Sequence, residues 1–361
     1  MSGAAAVAQP KTASPIKVMV VDDSAVIRGF LTRWIDRDPG LKIVASAQNG
    51  KVAVDQVKAA DPDVIVLDIE MPEMDGIAAL PLLIKACPKA RVIMASTLTR
   101  RNAEISLKAL SLGATDYVPK PTSVGPSEAG EAFRRDLCQK IAALGRARPA
   151  FGSKAGQVPG GGPIKLRPAS NVPPQILAVG SSTGGPQALS TFVAAIAPKL
   201  NVPVVITQHM PATFTTILAE TLSRSSGLKA VEGANGMKLE PGRVYIAPGD
   251  NHMIIKSRGG PIELTQTPPE NFCRPAVDPM FRSIAAIYGP STLAVVLTGM
   301  GSDGREGARA IANAGGTILA QDEATSVVWG MPAAVAQAGL ASAVLPLNSM
   351  GVEVRKYLGI K

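Results

Sequence analysis

Only two histidines, His209 and His252, are available in this chain to serve a hydroxyl nucleophile as a general base. The hydroxyl best placed for such service is Ser182. It follows the apolar run Ile176-Leu177-Ala178-Val179 and lies in Gly180-Ser181-Ser182-Thr183-Gly184-Gly185-Pro186, a stretch that reads as a buried strand, a tight turn and a helix start near Pro186. Gly180 to Gly184 match G-x-S-x-G, in which small neighbours let the turn sharpen and lift a serine hydroxyl above the sheet edge. The same letters also suit a βα turn that packs a helix or holds a phosphate. His209 ends the strand-like run Val204-Val205-Ile206-Thr207-Gln208, which puts it on the same rim as Ser182 if the two strands are parallel neighbours. His252 follows Ala247-Pro248-Gly249-Asp250 at the entry to a hairpin, so rim position favours His209. A carboxylate at another strand end would orient the imidazole. Asp303, in Leu297-Thr298-Gly299-Met300-Gly301-Ser302-Asp303-Gly304, is placed for it, with a helix N-cap as the plainer use. Backbone N–H groups between these glycines suit an oxyanion hole.

The same loop supports a second reading. Gly299 to Gly304 also fit G-x-G-x-x-G between a strand and a helix, and Asp322 ends the next strand about twenty residues on, as a dinucleotide site requires. Against it, Asp303 would hold a carboxylate beside a pyrophosphate, and Ser182 and His209 would have no task. The alternative function is a nucleotide- or nucleic-acid-binding output domain.

In the first third of the chain, carboxylates gather at strand ends. Lys17 to Val21 runs into Asp22-Asp23-Ser24, Val64 to Leu67 into Asp68, Val92 to Ala95 into Ser96-Thr97, and Asp116 to Val118 into Pro119-Lys120-Pro121. Strands alternating with helical stretches predict a doubly wound parallel sheet, in which function collects at the carboxyl ends of the strands. Asp22, Asp23 and Asp68 would repel one another there without a cation. All-oxygen ligands with room for water and a phosphoryl group suit Mg²⁺.

The elements that must position these two sets divide the chain. Its 361 residues predict two domains. Residues 1–14 read as a disordered tail, 15–135 as the first α/β domain, and 136–174 as a helix and a Gly/Pro-rich basic linker. Residues 175–358 read as a second, larger α/β domain with a mostly parallel sheet and a hairpin over His252–Ile255 and Ile262–Thr265. No Asp or Glu occurs between Asp136 and Glu220. The net charge of +9 invites nucleic acid, yet 4% aromatic residues leave few stacking platforms, so no direct nucleic-acid contact is expected. No apolar run approaches a membrane span. Cys87, Cys138 and Cys273 are far apart and odd in number, which fits reduced thiols and a cytoplasmic protein.

Val21-Asp22-Asp23-Ser24, Leu67 to Gly76 and Lys120-Pro121 resemble the response-regulator receiver domain. The resemblance implies a five-stranded, flavodoxin-like sheet with Asp68 as phosphoacceptor and Asp22, Asp23, Asp68 and the Glu70 carbonyl around Mg²⁺. It also implies Ser96 as switch hydroxyl, Lys120 as phosphate contact and a histidine kinase as phosphodonor. From about residue 175 to 357, the Ser182, His209, Tyr245–Met253 and Leu297–Gly304 stretches resemble the chemotaxis protein-glutamate methylesterase family. That resemblance implies Ser182 as nucleophile, His209 as base and Asp303 as orienting acid. It makes Met300 the residue whose N–H helps hold the oxyanion, and leaves no cofactor in this domain. The substrates would be γ-methyl esters, and glutamine amides, on methyl-accepting chemotaxis receptors, with membrane contact only through them. One departure is visible: Cys273-Arg274-Pro275-Ala276-Val277-Asp278 stands where the family usually reads His-Arg-Pro-Ser-Val-Asp.

Overall fold

The structure, a computed structural model, describes residues 14–120, 128–146 and 164–360. Nearly all of the expected tail and the centre of the expected linker, with Arg148 and Lys154, lie outside these residues.

In chain order the first domain comprises β1 (Ile16–Val21), α1 (Ala25–Asp36), β2 (Leu41–Ala47), α2 (Gly50–Ala60), β3 (Val64–Asp68), α3 (Gly76–Ala86), β4 (Arg91–Thr97), α4 (Arg100–Ser111), β5 (Asp116–Lys120) and α5 (Glu128–Arg146). Its strands form a parallel five-stranded sheet in the order β2-β1-β3-β4-β5. The chain moves outward from β1 to β2 and then crosses to β3 on the other side. This reversal opens a crevice at the carboxyl ends of β1 and β3. Val21 pairs with Leu67, so Asp22 and Asp68 emerge side by side at the crevice. β3 is buried along its whole length, because helices cover both faces.

The second domain continues with β6 (Ile176–Ser181), α6 (Gly185–Ile196), β7 (Val204–Gln208), α7 (Ala212–Ser226), β8 (Lys229–Glu232), β9 (Arg243–Ile246), β10 (His252–Ile255), β11 (Ile262–Thr265) and α8 (Val277–Tyr288). It ends with β12 (Thr292–Val296), α9 (Arg305–Asn313), β13 (Thr317–Gln321), α10 (Met331–Gln337), β14 (Ala343–Leu345) and α11 (Leu347–Tyr357). Seven strands form a parallel sheet in the order β14-β13-β12-β6-β7-β9-β8, and β10 and β11 pair as an antiparallel hairpin. Here the reversal falls at β6: the chain builds outward through β7 and returns to add β12 on the opposite side. The segment preceding β6 is tied to this domain, with Arg167 donating to the carbonyls of Gly316 and Ala312 at 2.6 and 2.9 Å.

The domains meet along the α4–β5–α5 side of the first. Arg100 pairs with Glu220 on α7 at 2.8 Å, Gln187 Nε2 donates to the Ala114 carbonyl at 3.0 Å, and the Arg135 guanidinium on α5 lies 5.3 Å from the Phe272 ring centroid. The Tyr117 ring of β5 stacks on Phe214 of α7. Both rings are buried.

Candidate active site

The site of the second domain stands at its sheet reversal, where Ser182 follows β6 and the 297–304 loop follows β12. Leu297 N–H donates to the Gly180 carbonyl at 2.9 Å and Ser182 N–H to the Thr298 carbonyl at 3.0 Å, which laces the two loops together. Gly299 makes this approach feasible: a Cβ there would lie 2.9 Å from the Ser182 Cβ. Gly184 closes the turn with φ +75° as the cap of α6, a conformation that an L side chain adopts at a cost. A Cβ at Gly184 would also meet Val327 at 2.6 Å. Ser182 is left half-buried on the rim.

His209 arrives from the adjacent strand. Ser181 pairs with Gln208, and His209 N–H donates to the Ser181 carbonyl at 3.1 Å. Its ring Nε2 lies 2.7 Å from Oδ2 of the buried Asp303. Asp303 also accepts from the backbone N–H groups of Val277 at 2.6 Å and Asp278 at 3.1 Å. Burial opposes its charge, but the imidazole and these N–H groups hold its carboxyl below the ordinary value. With Nε2–H committed to Asp303, Nδ1 is the nitrogen that can accept a proton. Nδ1 faces the Cys273 thiol at 3.3 Å; among the described residues no hydrogen bond joins Ser182 Oγ to the ring. Burial lowers the affinity of His209 for a proton, yet the facing Cys273 and the Asp303 carboxylate outweigh it and raise its pKa to about 10.

His252 has a different environment. It is fully buried, with Nδ1 accepting from Ala276 N–H at 3.1 Å and Nε2 donating to the Pro268 carbonyl at 3.2 Å, so both ring nitrogens are used in holding the hairpin to the 266–276 loop. The glycine loop carries no cradle for a dinucleotide, since Asp303 turns toward His209 and Gly299 packs on Ser182. Asp322 caps its own turn, accepting from the N–H and hydroxyl of Thr325 at 3.0 and 2.6 Å. Met300 is half-buried in this loop, and its N–H donates to no acceptor among the described residues.

Two contributors carry no signal in the sequence. The Gln208 side chain accepts from Ser181 Oγ at 2.6 Å and donates to the Ser182 carbonyl at 2.9 Å, pinning the serine turn to β7. Asn271 Nδ2 donates to both Asp303 Oδ1 and Asp278 Oδ2 at 3.0 Å. Asp278 in turn accepts from Gly307 N–H at 2.6 Å, and burial followed by the charge of Asp303 raises its carboxyl to about 6. The Cys273–Asp278 stretch was the only pointer to this support, since Asn271 lies in a loop with no periodicity.

In the first domain the structure brings Asp22, Asp23 and Asp68 together, with one carboxylate oxygen of each within 4.8 Å of the others. Lys120 reaches Asp22 at 2.5 Å and Asp68 at 2.7 Å. Burial raises the Asp68 pKa to about 6; Lys120 opposes the rise and Asp22 adds to it. One lysine cannot neutralise three acids, and the hard oxygen donors left over suit a divalent ion of the Mg²⁺ type. Glu70 lies exposed two residues beyond Asp68. Ser96, at the end of β4, is buried with its hydroxyl 3.0 Å from that of Ser106 on α4, beside Asp68 but not bonded to it.

With this geometry established, comparison with known proteins places both halves. Residues 177–354 match the family model described as CheB methylesterase, and residues 18–126 the one described as response regulator receiver domain. The chain is 52% identical over 365 residues to the protein-glutamate methylesterase/protein-glutamine glutaminase of Azospirillum brasilense, covering 95% of this chain and 93% of that protein. It is 53% identical over 361 residues to the protein of the same description from Nitrobacter hamburgensis, covering 96% and 95%. The crystal structure of the Thermotoga maritima CheB methylesterase catalytic domain is 41% identical, covers 51% of this chain and 99% of that one, and superposes with a TM-score of 0.49.

Proposed function

The chain belongs to the CheB methylesterase family, carries that family's receiver domain and has the activity of a protein-glutamate methylesterase/protein-glutamine glutaminase, and on that premise we propose that Ser182, His209 and Asp303 perform the chemistry. The observation that carries this reading is the approach of His209 Nε2 to the buried Asp303, 2.7 Å apart at the rim where Ser182 emerges. Asp303 fixes the tautomer, leaving Nδ1 as the base. Once Ser182 Oγ turns onto Nδ1 it loses its proton there and attacks the γ-carbonyl of a modified glutamate. The Met300 N–H and its neighbours then face the developing oxyanion. The imidazolium returns the proton to the departing methanol, or to ammonia from glutamine, and water attacks the acyl-serine by the same route.

The substrates are methyl-accepting chemotaxis receptors, and contact with the membrane is through them. The chain contains no helix long and apolar enough to cross a membrane among the described residues, and three free thiols suit the cytoplasm. A histidine kinase supplies the phosphoryl group to Asp68. Asp22, Asp23, Asp68 and the Glu70 carbonyl would hold Mg²⁺, which would supply positive charge toward the incoming phosphoryl oxygens. Lys120 contacts those oxygens and Ser96 acts as switch. The receiver, docked beside His209 and Phe272, hinders a long receptor helix until phosphorylation shifts the population toward an open arrangement. Methanol release from methylated receptor membranes tests the assignment: Ser182→Ala should abolish it while preserving the fold, and unchanged release would remove Ser182 from the role.

A further inference from the structure

Three free cysteines occur among the described residues. Cys87 and Cys138 are buried inside the receiver, and burial pushes the Cys138 thiol up to about 11 against the opposing charge of Arg134. Cys273 differs in surroundings. It is half-exposed, its Sγ lies 3.3 Å from His209 Nδ1, and the Asp303 carboxylate stands behind the same ring. The mostly buried Lys140 ammonium on α5 is within electrostatic reach of it. Thiol, imidazole and carboxylate thus stand in line on three separate segments, the arrangement that converts a cysteine into a nucleophilic thiolate. The backbone leading to the sulfur is held in place: Asn271 and Phe272 both adopt left-handed conformations, with φ 52° and 62°. Asn271 is anchored to Asp303 and Phe272 lies under Arg135.

The position of the sulfur has a chemical consequence. Because Nε2 is committed to Asp303, Ser182 must use Nδ1, the nitrogen that Cys273 faces. We propose that Cys273 is a site of reversible oxidation by peroxides, and that the oxidised sulfur blocks the nitrogen of His209 on which ester hydrolysis depends. The reaction balances without a further partner. The thiol gives its proton to His209 Nδ1 as the sulfur attacks one oxygen of hydrogen peroxide, the O–O bond breaks, and the departing hydroxide takes that proton from the imidazolium as water. Sulfur loses two electrons and becomes a sulfenic acid, and the peroxide is reduced. Sγ already stands 3.3 Å from Nδ1, so an oxygen added to the sulfur crowds the approach of Ser182 Oγ to that nitrogen. Two molecules of a small thiol reverse the step, restoring Cys273 and releasing a disulfide and water.

The proposal rests on the triad assigned above, so the experiment separates the two. The full chain is treated with hydrogen peroxide and divided: in one portion Ser182 is titrated with a fluorophosphonate, and in the other sulfenic acid is trapped with dimedone and mapped by mass spectrometry. Peroxide should slow serine labelling by ~10²-fold, the lower range of what a general base contributes. Dithiothreitol should restore it, which oxidised methionine would not allow. The dimedone adduct should map to Cys273, and Cys273→Ala should be labelled at one rate with or without peroxide, whatever that rate is. Retained labelling of the wild type, equal loss in Cys273→Ala, or an adduct confined to Cys87 or Cys138 would each overturn the proposal. Should Cys273→Ala fold poorly, Cys273→Ser and the adduct map of the wild type decide. Ser182→Ala should still acquire the adduct, so failure of the triad reading shows as absent serine labelling before any peroxide is added.

Discussion

Tyr117 of the receiver lies flat on Phe214 of the catalytic domain, ring centroids 4.3 Å apart and planes 7° from parallel. Phe214 is five residues beyond His209, at the start of α7. An aromatic pair of this kind contributes about 0.5–1.5 kcal/mol beyond its buried area. Tyr117→Ala should therefore loosen the docked arrangement and raise methanol release by the unphosphorylated full chain several-fold, with Asp68 unmodified. Small-angle scattering should show a more extended particle. An unchanged rate together with an extended particle would separate docking from inhibition.

The two histidines should respond differently to the same change. His209→Gln removes the proton acceptor and Asp303→Asn its orienting charge, each lowering kcat by ~10² to 10⁴-fold with little effect on melting. His252→Gln should leave the pH profile in place but lower stability by roughly 1–3 kcal/mol, since a fully buried ring bonded at both nitrogens is lost. Thermal melting and ester hydrolysis measured in parallel would distinguish the roles, and a large kcat loss in a stably folded His252→Gln protein would contradict them.

The groups facing the His209 ring set its pH response. Burial lowers its pKa, Cys273 and Asp303 raise it to about 10, and Asp136 on α5 adds its charge at longer range. A base works when neutral, so hydrolysis by the reduced protein should still climb with pH above neutrality. Cys273→Ala removes the group facing Nδ1, one of the partners that raise the ring's proton affinity, which lowers the pKa of His209. The acid limb of kcat/KM should move down by about a pH unit or more toward the ordinary value of about 6.5, and an acid limb that stays in place would show that Cys273 does not share the ring.

Asp68 makes the opposite kind of demand. Its folded pKa is about 6 against an ordinary 3.8, so the folded receiver binds this proton more tightly than the unfolded chain. The associated stability is present below about pH 3.8 and lost as pH rises through about 6. At neutral pH without divalent cation the buried carboxylate is destabilising, by roughly 1.4 kcal/mol for each tenfold gain in proton affinity on folding. Asp68→Asn should raise the receiver's melting temperature by several degrees at pH 7.5, with the gain shrinking toward pH 4. Mg²⁺ should stabilise the wild type and do less for the variant. A variant that melts below wild type at pH 7.5 would refute the sign.

The two sheets were legible in proportion to burial. β1, β3, β6, β12 and β13 lie inside their sheets, and each is built on three or four consecutive apolar residues. β2 and β8 escaped detection as strands, and each forms the edge of its sheet with mostly half-exposed residues. Lys42, Ser46 and Glu232 dilute their patterns, as an edge permits. The chemistry followed a similar division. Ser182, His209, Asp303 and Asp68 stand at strand ends next to turn signals, so position in the chain implied position in space. Asn271 and Gln208 act through single side-chain bonds that join distant loops, and no local spacing encodes such a bond. The contact of Cys273 with His209 lay across 64 residues of chain.

β5 carries Lys120 and Tyr117 three residues apart, the first bonded to Asp68 and the second stacked on Phe214. At about 3.3 Å per residue the two side chains are mounted roughly 10 Å apart on a segment held along its length by β4. A segment that short acts as a strut. It has no joint at which a displacement of Lys120 could be absorbed before it reaches the ring, so the distance between the phosphorylation chemistry and the domain seam is one of mechanical stiffness more than of ångströms.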